Sequence, residues 1–369
     1  MTDRPQPDDP HPRASGSRQA ALAGVGFVAT LVLLFGLMSF AGRAPVGGGQ
    51  PGGASSSSAA ASPGSAASTG VPVVSAPSGV PVVSSPPGGT SPPGGTSPSG
   101  GTSPSGDPVL VGAGDIADCG LDGDGATAAL IDGIPGTVFT AGDNAYERGS
   151  AAEFRDCYDP TWGRFLARTK PAPGNHDHET KDLAGYLGYF GTSAAPHGTS
   201  WYSYDLGTWH IVVLDSSCGD VGGCGRDSAQ GKWLTADLAA SNARCTLAIW
   251  HHPRFSSGVH GDDREVAPFW QALYESGADV VINGHDHDYE RFAPQDPAGH
   301  EDRARGLREF VIGTGGAVLR GFVLNAPNSE LRASVAHGVL RLVLHPTSYE
   351  WTFIPTTGGF GDSGSGPCH

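Results

Sequence analysis

The chain has 369 residues and a formal net charge of −15 at pH 7, and all but four of its 22 basic and three of its 37 acidic residues lie after position 106. An acidic surface of that kind excludes non-specific nucleic-acid binding, which needs a basic footprint. It leaves an anionic substrate open, because bound cations can dominate the field inside a site.

Taken in chain order, residues 1–19 mix Arg4, Arg13 and Arg18 with Asp3, Asp8 and Asp9. Residues 20–42 follow as an almost wholly apolar run, and about 20 such residues span a bilayer as a helix. The arginines before it put the N-terminus in the cytoplasm and the rest of the chain outside. The run reads as a single-pass signal anchor, or as a signal peptide cleaved after Ala41 to give a secreted form. Residues 43–106 are rich in Gly, Ser, Pro and Ala, with Gly-Gly-Thr-Ser-Pro starting at Gly88, Gly94 and Gly100. Such a segment has no apolar face to bury and is expected to be a disordered linker. At about 3.1 Å per residue its reach is on the order of 200 Å, enough to span a cell wall. Residues 107–369 then form one domain, long enough for one substantial core or two closely packed sheets.

All six cysteines lie in that domain and none forms a CxxC pair, so a zinc ribbon or thioredoxin site is excluded. An even number beyond an export signal reads as disulfides. Cys218 and Cys224 flank a Gly-rich loop, Cys119 and Cys157 follow two neighbouring clusters, and Cys245 is left for Cys368; the alternative is six buried thiols.

Apolar runs at Val109–Val111, Thr137–Thr140, Thr246–Trp250 and Val280–Ile282 read as buried strands. Helical patterns cover Ala126–Ile134, Ala229–Ser241 and Ala267–Ser276. Tyr202–Asp205 and His210–Leu214 form a hairpin around Gly207, and Gly338–His345 and Glu350–Ile354 are further strands. The class is α/β with added antiparallel strands. Short polar clusters stand just after the strand runs: Gly114-Asp115, Gly142-Asp143-Asn144-Ala145-Tyr146, Gly174-Asn175-His176-Asp177, His251-His252-Pro253 and Gly284-His285-Asp286-His287. Open α/β sheets place their ligands there. Each leading glycine is expected to let its strand turn sharply into the site. Asp115, Asp143 and Asn175 offer oxygen donors and His251, His285 and His287 offer nitrogen, a supply for two adjacent metal ions of the kind used in phosphate-ester hydrolysis.

From Gly114 to Arg291 the ordered clusters resemble the calcineurin-like metallophosphoesterases, and within them the purple acid phosphatases. The wider superfamily has Asp-x-His in its first cluster, whereas Asp115-Ile116-Ala117 lacks that histidine. Tyr146, three residues after Asp143, stands where purple acid phosphatases place an iron-binding tyrosine. The resemblance implies two packed mixed sheets flanked by helices, an α-β-β-α sandwich, without the N-terminal β-sandwich of the plant enzymes. It implies one ion on Asp115, Asp143, Tyr146 and His287, which a phenolate makes Fe(III), and a divalent zinc, manganese or iron on Asp143, Asn175, His251 and His285. It also implies hydrolysis of small phosphomonoesters by a metal-activated hydroxide, with His176 as general acid, Asp177 orienting that ring, and His252 and His260 facing substrate. The rival readings are a phosphodiesterase or nucleotidase with the same centre, and an inactive wall-spanning binding protein.

The remaining histidines, His178, His197, His210, His300, His337, His345 and His369, have no partner at ligand spacing and are expected to be structural or exposed. Gly313-Thr314-Gly315-Gly316 follows a strand-like run, but no helix or Lys-Ser/Thr follows it. It is expected to be a turn packed near the site. Trp201, Trp209, Trp250 and Trp270 are expected in the core.

Overall fold

The computed structural model describes residues 106–369; the expected N-terminal tail, anchor and linker up to residue 105 lie outside the described residues. The elements are β1 (Val109–Ala113), α1 (Gly123–Asp132), β2 (Thr137–Ala141), β3 (Thr169–Ala172), α2 (Ala184–Phe190), β4 (Tyr202–Leu206), β5 (Trp209–Val213), α3 (Ala229–Ala240), β6 (Cys245–Ile249), α4 (Ala267–Ser276), β7 (Val280–Asn283), β8 (Tyr289–Phe292), β9 (Arg308–Ile312), β10 (Ser329–Ala333), β11 (Gly338–His345), β12 (Ser348–Pro355) and β13 (Asp362–Pro367). Among the described residues no helix is long and apolar enough to cross a membrane.

Two mixed sheets result, ordered β13-β12-β11-β1-β2-β3 and β10-β8-β9-β7-β6-β5-β4. In the first, β1, β2 and β3 run parallel and β11 lies antiparallel to β1. In the second, β5, β6, β7 and β9 run parallel, edged by antiparallel β4, β8 and β10. The period-2 alternation of side chains explains the layering. Ile211, Val213, Leu247, Ile249, Val280 and Ile282 share one core with Leu110, Val138, Leu340 and Leu342 of the first sheet. The intervening Val212, Leu214, Ala248, Trp250 and Val281 pack instead with Leu234 of α3 and Phe269, Trp270 and Leu273 of α4. Continuous apolar runs therefore mark strands buried on both faces, and the expected sandwich of two sheets between helices is found.

Several boundaries differ from expectation. Helix α1 starts three residues earlier, at Gly123, where a Cβ would sit 2.5 Å from the Gly316 carbonyl oxygen. Close packing thus overrides the poor helix propensity of glycine. Strand β3 contains Pro171 and was not anticipated; it lies at a sheet edge, where a missing N–H is tolerated. Strand β13, Asp-Ser-Gly-Ser-Gly-Pro, has almost no strand propensity. It holds the opposite edge because Trp351 and Tyr349 lie over Gly364 and Gly366, where any Cβ would be within 2.7 Å of the rings. The hairpin turns at Gly207-Thr208 with Gly207 at φ 64°, as two-residue turns require.

All three expected disulfides form, Cys119–Cys157, Cys218–Cys224 and Cys245–Cys368. The last ties the C-terminus to the start of β6 across a sequence separation of 123 residues.

Candidate dinuclear metal centre

The five clusters converge at the carboxyl ends of parallel strands from both sheets. Asp115 follows β1, Asp143 follows β2, Asn175 follows β3, His251 follows β6, and His285 and His287 follow β7. The glycines act differently from expectation. Only Gly142, at φ 84°, is itself left-handed; Asp115, Asp143 and His285 carry φ of 59°, 49° and 70°. The sharp turn falls on the donor residues, a strain that persists because the surrounding structure holds it. Gly114, Gly174 and Gly284 are needed for close approach: a Cβ would meet Ala141 O at 2.8 Å, Asp143 Oδ1 at 2.2 Å and Asp115 Oδ2 at 2.5 Å, respectively.

Two donor sets share Asp143. In the first, Tyr146 Oη lies 2.8 Å from Asp115 Oδ1, 3.1 Å from Asp143 Oδ2 and 3.2 Å from His287 Nε2. One phenolic hydrogen faces three acceptors, so the set has lone pairs to give to a cation. In the second, His251 Nε2 lies 3.1 Å from Asn175 Oδ1, 3.2 Å from Asp143 Oδ2 and 3.2 Å from His285 Nδ1. Orienting hydrogen bonds fix the tautomers. His251 Nδ1 donates to Ala141 O at 2.8 Å and His287 Nδ1 to Val318 O at 2.8 Å, which leaves each Nε2 lone pair aimed inward. His252 is held differently. Ser216 Oγ accepts from the His252 backbone N–H at 3.0 Å and lies 2.8 Å from its Nδ1, which holds the ring with Nε2 free to face the cleft. One of its ring nitrogens also lies within reach of a cation shared with His251 and His285.

Electrostatics agree with a set built around positive charge. Burial raises the Tyr146 phenol well above its ordinary value, and the Asp115 and Asp143 carboxylates raise it further. Burial works against a charged His251, yet the Asp143 carboxylate outweighs it and lifts the ring to about 9. Burial, then His251, His252 and His260, push His285 down, and burial and His251 push His252 down to about 3. The two carboxylates would favour a cation in the space between these groups; one bound there would displace the His251 proton from Nε2 and take the imidazoles as neutral donors, so that their mutual repulsion is lost. The seven residues therefore fit two metal ions in chemistry and tautomer.

His176 follows Asn175 and projects toward the centre, its Nε2 3.9 Å from Asp143 Oδ2 and its Nδ1 2.6 Å from the Glu147 carbonyl oxygen. Asp177 does not orient that ring. Its buried carboxylate accepts from the Asn144 backbone N–H, the Asn144 amide and the Gly174 N–H, at 3.2, 2.8 and 2.9 Å. A carboxylate at the third residue of a helical turn folds back on the turn's start, so Asp177 braces the loops carrying Asp143 and Asn175. Burial and Asp143 push its carboxyl up to about 7. The His260 ring centroid lies 4.2 Å from that of His285 with the planes tilted by 35°, and its Nε2 accepts from Arg320 at 2.7 Å. Sequence reasoning missed Arg320, Ser216 and Asp286; the last accepts from the His260 N–H at 2.9 Å and holds its loop. None stands in a strand-end cluster at ligand spacing except Asp286, to which the sequence pattern assigns no role of its own.

The other histidines are structural or exposed, as expected. His178 donates to buried Asp215 at 3.0 Å, His210 pairs with Asp237 and His369 with Asp279. The Gly313–Gly316 turn packs on the first cluster, with the Gly315 N–H donating to Gly114 O at 2.8 Å. Trp209, Trp250 and Trp270 are core; Trp201 is only half-buried.

The family profile described as Calcineurin-like phosphoesterase matches residues 103–289. Purple acid phosphatase 21 of Arabidopsis thaliana is 30% identical over 234 residues, covering 54% of this chain and 51% of the relative. Purple acid phosphatase 15 of the same plant is 30% identical over 199 residues, covering 44% and 37%. The chain thus spans about half or less of the length of the curated relatives it matches. Among solved structures, the purple acid phosphatase PPD1 of yellow lupin superposes with a TM-score of 0.54 at 18% identity, over 70% of this chain and 53% of that one. GAP50, described as the anchor in the inner membrane complex of Plasmodium, gives 0.56 at 14% identity, over 72% and 90%. At such identities these two likenesses speak for the fold alone. The chain belongs to the calcineurin-like phosphoesterases, a family of metal-dependent phosphoric ester hydrolases, and over about half its length it is similar to purple acid phosphatases.

Proposed function

We propose that the protein is an extracytoplasmic dinuclear-metal phosphatase that hydrolyses phosphomonoesters. The observation that carries the proposal is one oxygen, Asp143 Oδ2, lying 3.1 Å from Tyr146 Oη and 3.2 Å from His251 Nε2, within both donor sets. Asp115, Asp143, Tyr146 and His287 would hold Fe(III), which a phenol favours; Asp143, Asn175, His251 and His285 would hold zinc, manganese or iron(II). Bound there, the pair would supply Lewis acidity toward phosphoryl oxygens and make water in the cleft more acidic.

The chain's own residues would bind and protonate. His252, its ring held by Ser216, would face the substrate with Nε2. The Nδ1–H of His176 is taken up by the Glu147 carbonyl, so a second proton gained at Nε2 faces the centre and can pass to a leaving alkoxide. His260 would face the substrate from the opposite wall.

Three disulfides support folding in an oxidising compartment. With the apolar run at 20–42 and the Gly/Ser/Pro/Ala-rich stretch at 43–106, they support a catalytic domain, 107–369, displayed outside the membrane on a long linker, or released by cleavage.

The test is hydrolysis of p-nitrophenyl phosphate against its bis ester, together with metal analysis of the same sample. A preference for the monoester, bound iron and a visible charge-transfer band that disappears in Tyr146→Phe are expected. Strong preference for the diester sinks the monoesterase reading, and an active protein free of iron sinks the Fe(III) assignment.

A further inference from the structure

The segment Gly313–Asn328 contains neither helix nor strand, yet it is tied down along its length. The Ala317 N–H donates to Asp115 O, the Arg320 N–H to His287 O at 2.9 Å, and the Val323 and Leu324 N–H groups both donate to Ser257 O. Ser257 is itself held by Glu290, through its N–H at 2.7 Å and its hydroxyl at 2.6 Å. The segment is therefore a strap, fixed across the loop that carries His260. Of the six large apolar side chains exposed among the described residues, four, Val259, Val318, Val323 and Leu324, lie on this strap or on the loop beneath it. Exposed apolar groups concentrated on two segments bonded to each other, one of them the loop that carries His260, point to a recognition surface and not to scattered single residues. On the strap stands one cation, Arg320, whose Nη1 donates to His260 Nε2 at 2.7 Å, while that ring lies tilted with its centroid 4.2 Å from that of the proposed ligand His285.

We propose that this strap is the specificity wall of the site: Arg320 binds a phosphoryl oxygen of the substrate, and Val259, Val318, Val323 and Leu324 receive an apolar or aromatic leaving group. The favoured substrates are then monoesters of apolar alcohols or phenols, not of polyols. A planar guanidinium with several donors suits phosphoryl oxygens, and its bond to His260 pre-organises it. The inference rests on the phosphatase reading above and deepens it.

The test uses the metal-loaded full chain as wild type, Arg320→Ala, Arg320→Lys and the double variant Val323→Ser/Leu324→Ser. Phenylphosphonate and methylphosphonate, which are not hydrolysed, are titrated by calorimetry; kcat and KM are measured on phenyl phosphate and glycerol phosphate. The double variant is expected to lose about tenfold in affinity for phenylphosphonate and none for methylphosphonate. Arg320→Ala is expected to lose about tenfold to a hundredfold for both, to raise KM more than it lowers kcat, and to be partly rescued by Lys. Equal effects of the double variant on both phosphonates, or none, overturn the apolar wall. Unchanged phosphonate affinity in Arg320→Ala with a lowered kcat overturns the contact, because Arg320 then only props His260. Failure of the wild type to bind phenylphosphonate overturns both. Binding differences as expected without turnover would sink the phosphatase reading and leave the wall standing.

Discussion

Gly174→Ala isolates close approach from backbone conformation. Gly174 has φ −121° and ψ −177°, extended backbone that alanine adopts freely. The added Cβ would nevertheless lie 2.2 Å from Asp143 Oδ1, 2.3 Å from Asp143 N and 2.9 Å from its Cγ. Ordinary contact needs well over 3 Å, so Asp143 must move by about 1 Å or more, and it is not free to do so. Its carbonyl accepts from the Ile116 N–H at 3.0 Å and its Oδ1 from the His176 N–H at 2.9 Å. Overpacking of this kind costs about 1–3 kcal/mol, and about 2–4 °C in melting temperature per kcal/mol for a domain of this size. If Asp143 is the shared ligand proposed above, a displacement of about 1 Å there lowers kcat/KM by about a hundredfold. Gly188→Ala is the control: it lies within α2 with nothing near its Cβ, and is expected to gain about 0.5–1 kcal/mol. Thermal melts, metal content and kcat/KM on p-nitrophenyl phosphate read the pair. Wild-type metal content and activity in Gly174→Ala would refute the steric argument and the shared role of Asp143 together.

Two further outcomes concern the scaffold. Buried Glu309 accepts from the Arg254 and Phe255 N–H groups, and burial raises its carboxyl well above the ordinary range. The folded state keeps a proton that the unfolded chain releases near pH 4.5, so this stabilisation is full below that pH and is lost as pH rises toward the folded value, by up to about 1.4 kcal/mol per unit. Urea unfolding between pH 5 and 8 should show a shallower decline for Glu309→Gln; parallel profiles would contradict it. Cys368→Ser removes the Cys245 bridge and should cost about 2–5 kcal/mol, with β13 exchanging amide hydrogens first; unchanged protection there would refute an anchoring role.

Much of the centre was legible because its chemistry is written in short contiguous clusters. Gly-Asp, Gly-Asp-x-x-Tyr, Gly-Asn-His and Gly-His-x-His each name their own donors, and the strand runs before them say where they stand. The strands of both sheet interiors were legible for the same reason: burial on two faces makes them continuously apolar, as in Thr246–Trp250. The edges were not. Thr169–Ala172 carries a proline and Asp362–Pro367 carries glycines, and what makes them strands is the neighbour each pairs with.

By itself the sequence determined the donor types, their order and their place at strand ends; the three cysteine pairs it offered against an alternative of free thiols, and the folded chain decided them. Only the tertiary structure decided which side chain does what among groups that are adjacent in the chain. Asp177, beside His176, turns away to brace Asn144, because a short helical turn returns its third side chain to its own start. His252, beside His251, has its ring held by Ser216, far off in sequence, whose Oγ lies 2.8 Å from Nδ1. Arg320 enters the site from a strap with no local signal at all, since its position is set by bonds to His287 and His260 that exist only once the strands of the second sheet have come together.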